Sequence, residues 1–118
     1  MDAGDLADKR FRAWLQQRIL QSLAFQVRAL RKDRGWSQAE LAERAGIGLL
    51  TVQQAENPEY LGTRIRTLAK IAAAFDVALI VRFASWSELL RAVQELDDGT
   101  AVPPGYLQEF SQRSPATA

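Results

Sequence analysis

The sequence predicts a mainly α-helical fold, with an extended N-terminal helical segment and, toward the other end, a short strand and helix. Three observations predict it. Phe11, Leu15, Ile19, Leu23, Val27 and Leu30 recur at three- or four-residue intervals, the period that lines one face of a helix. Residues 31–56, RKDRGWSQAELAERAGIGLLTVQQAE, carry the caps and apolar spacing of two short helices joined by a tight turn. Residues 77–83, VALIVRF, alternate with the two-residue period of a strand.

Taken in order, most of residues 6–34 is read as helix, either as one element or as two broken near Ser22. Its final third serves as the first core helix. Trp14, Leu15 and Ile19 then need another surface, in the body of the protein or in a second subunit. Ser37 followed by Glu40 forms a capping box, in which the hydroxyl accepts the third amide of the helix and the carboxylate reaches back to the Ser37 N–H. Leu41, Ala42 and Ala45 give that helix its inward face, Gly46 closes it in the left-handed conformation, and Ile47 plugs the turn. In the helix that follows, Val52 and Ala55 face inward, leaving Leu49, Leu50, Gln53 and Gln54 on its front or flanks.

NPEYLGT, residues 57–63, is a loop, and Thr63 caps the next helix, whose stripe is Ile65, Leu68, Ala72 and Phe75. The strand predicted over 77–83 cannot stand alone, because its backbone groups need a second strand, for instance its own copy across a two-fold axis. SELLRAVQEL, residues 87–96, reads as a short closing helix. The remainder is read as irregular, with Tyr106, Leu107 and Phe110 as anchors.

A chain of 118 residues makes about one domain, and 47% hydrophobic with 25% charged residues supports a modest core. Histidine and cysteine are both absent, which removes imidazole bases, thiolate nucleophiles, disulfides and the usual zinc ligands together. The reading is therefore not an enzyme: no catalytic residue, no cofactor and no metal site is expected. Apolar runs fall short of a bilayer span and the start, MDAGDLADKR, does not resemble a secretory signal, so a cytoplasmic protein with no membrane partner is expected. Residues 1–35 carry eight Lys or Arg against four Asp, residues 36–83 five of each sign, and residues 84–118 two Arg against five acids. This gradient permits nucleic-acid binding through one face.

Through LRKDRGWSQAELAERAGI, the glutamate at Glu56 and LAKIAAAFDV, the chain resembles the lambda-repressor-like helix-turn-helix family, also called the Cro/C1 or XRE family. The resemblance covers about half the chain. It implies a lambda-repressor-like helix-turn-helix DNA-binding domain over residues 25–77, preceded by an N-terminal helical extension, 1–24, and followed by a C-terminal strand, short helix and irregular tail, 78–118, as a dimerisation element.

The resemblance also implies roles for residues. The recognition-helix start, which meets base edges in the family, falls on Leu49 and Leu50, whose methyls can pack on thymine C5-methyl groups. Gln53 and Gln54 are base or phosphate contacts, since a glutamine amide bonds bidentately to adenine. Gln38 touches the phosphate backbone by its side chain or by the helix-start amide and buttresses the recognition helix. Asn57 and Arg64 match phosphate-contacting positions, with Arg64 able to approach the minor groove, and the Thr51 hydroxyl can reach either a phosphate or a carbonyl of its own helix. Arg31 and Glu56 match a structural pair between the first core helix and the end of the recognition helix.

The function expected is a sequence-specific DNA-binding transcriptional regulator, a repressor acting on double-stranded DNA as a homodimer, because one domain reads few base pairs. The strand over 77–83 is the preferred dimerisation element, and the N-terminal segment is the second candidate. The alternative is an antitoxin-like protein-interaction module that binds a partner toxin and autoregulates its operon, a reading favoured by leucines at positions 49 and 50.

Overall fold

A computed structural model of the protein describes residues 3–97. A short 3-10 helix, Ala3–Ala7, leads into α1, Lys9–Asp33, followed by α2, Gln38–Ala45, α3, Leu49–Ala55, α4, Ile65–Phe75, and α5, Trp86–Asp97. Tyr106, Leu107 and Phe110 lie outside the described residues.

α1 is a single helix of 25 residues. Asp8 caps it by accepting the Arg10 amide at 2.8 Å. Ser22 does not break it, because its hydroxyl bonds back to the Ile19 carbonyl of the same helix and accepts the Gln26 side-chain amide at 3.2 Å. The length of α1 lets it serve two apolar clusters. Val27 and Leu30 enter the larger one with Leu41, Ala42, Val52, Ala55, Ile71 and Phe75, while Leu15 joins Leu90 and Val93 of α5 in the smaller, edged by Leu6, Phe11, Ile19 and Leu89. The surface that Leu15 and Ile19 require is thus supplied by α5 within the same chain. Trp14 stays about half exposed and stacks on Phe11 at 5.9 Å.

The predicted caps of α2 are present. Ser37 accepts the Glu40 amide at 3.1 Å and its own amide reaches Glu40 Oε1 at 3.4 Å. Gly46 lies at φ 67°, ψ 38°, and the Ile47 amide returns to the Ala42 carbonyl at 3.0 Å, which satisfies the helix end and sets Ile47 against the larger cluster. Arg34 donates to the Phe75 carbonyl at 2.8 Å, closing the C-terminus of α4 with a cation, where the helix dipole favours one. Trp36 stacks on Phe75 at 5.4 Å, and the Arg44 guanidinium lies over the Trp36 ring at 4.3 Å.

Two expectations are corrected here. Residues 77–83 form no strand, and among the described residues there is no strand at all. The physical reason is the one that made the strand conditional: a ladder needs a second segment to pair with, and the described remainder of the chain is helical. The alternation instead distributes side chains along an irregular connector. Val77 packs against the core, while Ile80, Val81 and Phe83 are exposed. The second correction concerns α4, which is capped by Arg64 rather than Thr63, with no side-chain cap bond, and whose Ile65 is 61% exposed. Ile71 takes the core position that Ile65 was expected to share.

α5 opens on Ser85, whose hydroxyl accepts the Glu88 amide at 3.2 Å, repeating the Ser37–Glu40 spacing. Arg82 bonds Glu88 at 2.8 Å and, ahead of the Ser85 contacts, holds its carboxyl below the ordinary value. A lowered carboxylate pKa supports the helix start above the ordinary carboxylate range and ceases to do so as pH falls through the lowered value.

Because α5 docks on α1 through the smaller cluster, Leu15→Ala is expected to cost about 2–5 kcal/mol locally. Hydrogen exchange should show α5 losing protection while α2 and α3 keep theirs; equal loss throughout would mean that the two clusters unfold as one.

Candidate nucleic-acid interface

α3 owes its orientation to an ion pair at its C-terminal end. Arg31 Nε donates to Glu56 Oε2 at 2.6 Å and Nη2 donates to Oε1 at 2.9 Å, while Nη1 donates to the Trp36 carbonyl at 3.0 Å. The pair is largely out of water, with side-chain exposures of 14% for Arg31 and 5% for Glu56. Two parallel bonds set the angle of the guanidinium plane as well as its distance, so α1, the turn before α2 and the end of α3 are held together. The bond to Glu56 raises the Arg31 pKa above its ordinary value against the opposing effect of burial. For a cation raised in this way, the loss of the pair through Arg31 comes only in strong alkali, above the ordinary arginine value. Gln38 adds a long bond, 3.4 Å, from its side-chain amide to Glu56 Oε1.

With Val52 and Ala55 buried and Glu56 tied inward, the 3.6-residue period of α3 turns the other residues out. Leu49 is 46% and Leu50 65% exposed, and Gln53 is exposed beside them. α3 starts from Gly48, which has extended backbone and no side chain to cap with. The helix start is therefore a bare edge, with its first leucines in solvent.

Gln54 and Thr51, half-buried, face a polar cleft that α3 shares with the loop before α4 and with the first turn of α4. Tyr60, Gly62, Thr63, Arg64 and Thr67 complete its lining. Arg64 occupies the cap position of α4 and is exposed, so its guanidinium and the uncapped start of that helix share one side of the cleft. Gly62 is what lets the Tyr60 ring lie against this loop, since a Cβ there would come within 2.9 Å of Tyr60 Cζ. The structure thus brings Thr51, Gln54 and Arg64 together. Asn57 stands apart, its side-chain oxygen accepting the Glu59 amide at 2.9 Å in a local turn, and Gln38 is directed to Glu56. Sequence reasoning did not single out Tyr60 or Thr67, because only the tertiary packing of α4 and of the loop before it brings them to the cleft beside α3.

A segment spanning the last two turns of α1, all of α2, α3 and α4, and the start of the connector, residues 27–81, matches the family model described as Helix-turn-helix. The chain carries a helix-turn-helix domain. Helix-turn-helix domains are non-catalytic DNA-binding modules, and α5 with residues 9–26 of α1 lies outside the matched residues. No curated protein and no solved structure matches the chain. Among the described residues, no helix is long and apolar enough to cross a membrane.

Glu56→Ala is expected to destabilise the helix-turn-helix domain by about 3 kcal/mol, since it leaves the Arg31 guanidinium largely buried without its counter-charge. A shift in urea midpoint worth less than about 1 kcal/mol would show that the pair does not carry the orientation of α3.

Proposed function

We propose that the protein is a sequence-specific transcriptional regulator, a repressor that binds double-stranded DNA as a homodimer, with α3 as the recognition helix. One observation carries this reading: the outward face of α3 is composed of Leu49, Leu50, Gln53 and Gln54, none of them needed by the core, and it continues into a polar cleft that ends on Arg64. Gln53 and Gln54 read base edges, Leu49 and Leu50 contact thymine methyls, and Thr51, Asn57, Arg64 and the start of α2 at Gln38 serve the phosphates. Tyr60 and Thr67 join the phosphate side because they line the same cleft. Arg31 and Glu56 act on affinity only through the orientation of α3. Two copies are needed because a single α3 spans few base pairs, and a half-site repeated about one helical turn away supplies the missing affinity.

A second reading is favoured by the same leucines. Apolar side chains 46% and 65% exposed also suit a protein surface, as in an antitoxin that holds a toxin and represses its own operon. Selection of bound duplexes by the chain alone separates the two. A recovered operator without any partner supports the regulator, and no recovered preference overturns it.

Two substitutions assign the contacts. Gln54→Ala is expected to weaken binding to the selected duplex by about 1–3 kcal/mol while leaving random DNA nearly untouched, whereas Arg64→Ala weakens both and lowers the salt slope by about 1. Equal losses for Gln54→Ala on the two DNAs would move that residue to the phosphate side, and an unaltered slope would remove Arg64 from the footprint. The double variant Leu49→Ser with Leu50→Ser should fold with near-normal stability and change preference at one or two base pairs. Its unfolding in equilibrium denaturation would place the leucines in the core instead.

A further inference from the structure

An apolar groove of about 220 Å3 opens between the middle of α1, the 57–63 loop, the start of α4 and the connector to α5. Leu20, Tyr60, Leu61, Ile65 and Val81 line it and are each partly in solvent, from 39% to 61% exposed. In the connector, next to Val81, Ile80 is 79% and Phe83 103% exposed. We propose that this face is where a second copy of the chain docks, each copy setting the Phe83 projection into the groove of the other. This rests on the homodimer reading and adds where the two copies meet.

Four features favour a second copy as the occupant. The first is area: seven large apolar side chains of the groove and the adjoining connector are 39% to 103% exposed, a cluster rather than the single scattered apolar residues of an ordinary surface, and a standard interface covers roughly 800 Å2 per partner. The second is charge. A two-fold interface sets equivalent residues close to one another, so an ionised patch repels its own copy. No Asp, Glu, Lys or Arg lines this groove, in a chain with 25% charged residues, and Arg82 at its rim is neutralised by Glu88 at 2.8 Å. The third is shape: Val81 lines the groove and Phe83, two residues further along the same connector, stands wholly in solvent, so a hole has a projection next to it, as a self-complementary two-fold interface requires. The fourth is placement: the groove adjoins the polar cleft, sharing Tyr60 and Thr63 with it, yet Leu49, Leu50 and Gln53 are not among its lining residues. Docking there leaves the outward face of α3 open while setting two domains side by side.

The test is the oligomeric state of the full chain, by light scattering and sedimentation equilibrium across a concentration series. The unaltered chain is expected to reach twice the monomer mass. Phe83→Asp and Ile65→Asp should each raise the dissociation constant at least about 30-fold, with helicity by circular dichroism unchanged. Leu50→Asp, on α3 and 65% exposed, should leave assembly unaltered. Should Ile65→Asp unfold, Phe83→Asp still decides, since the whole Phe83 side chain lies in solvent. A dimer that survives Phe83→Asp overturns this surface and leaves the homodimer reading standing. A chain that stays monomeric up to about 100-fold above micromolar concentration overturns both, and the duplex selection then judges DNA binding by itself.

Discussion

The bidentate Arg31–Glu56 pair is the constraint on which the rest of the domain depends. A helix of seven residues has little stability of its own, and α3 is capped at its start only by Gly48. Its inward face offers two side chains, Val52 and Ala55. Burial of Val52 and Ala55 places α3 against the core but leaves rotation about its axis loosely determined, because dispersion and burial are not directional. The two bonds to Arg31 are directional. Together with the Arg31 bond to the Trp36 carbonyl, they tie the end of α3 to α1 and to the turn before α2, so the outward face of α3 is held at one angle. Charge buried in this way is stabilising only while both partners are present, which makes the pair a determinant of geometry more than a source of net stability.

The second organising feature is that α1 belongs to two clusters. Its later turns complete the helix-turn-helix core through Val27 and Leu30, and Leu15, three turns earlier, anchors α5. Small separate cores unfold at different free energies, so α5 can loosen while α3 keeps its place. The connector between α4 and α5 lies over the body between these clusters. It packs a half-buried Val77 against the core and leaves Ile80, Val81 and Phe83 in solvent, which is an unfavourable arrangement for an isolated chain and a useful one for an associating chain.

On the α3 side, chemistry is divided between two neighbouring surfaces. The helix face offers apolar groups and two glutamine amides. The cleft beside it offers hydroxyls from Thr51, Tyr60, Thr63 and Thr67, with the Arg64 cation at the start of α4. Such a division suits a duplex, in which base edges lie in the groove and phosphates border it. The uncapped start of α4 strengthens the positive potential at that border, since no side chain neutralises its first-turn amides.

Several features of this protein are determined by sequence alone, because they depend on neighbours a few residues apart. The capping box of Ser37 and Glu40, the left-handed Gly46, the inward Val52 and Ala55, and the apolar stripe of α1 are all local, with spacing dictated by the helical period. The Arg31–Glu56 pair spans 25 residues and was legible only through resemblance to a family, since no local rule joins them. Tertiary structure alone decided the remainder. The alternation at 77–83 satisfies the pattern of a strand, yet pattern cannot create a pairing partner, and none is present among the described residues. α1 runs unbroken through Ser22, whose hydroxyl bonds within the helix, and at the start of α4 Ile65 lies at the groove while Ile71 enters the core. The polar cleft, with Tyr60 and Thr67 beside Gln54, exists only because α3 and α4 both pack on α2 and α1, which brings the 57–63 loop and the first turn of α4 beside α3. Distances between elements are set by the closing of the core, and a one-dimensional pattern does not contain them.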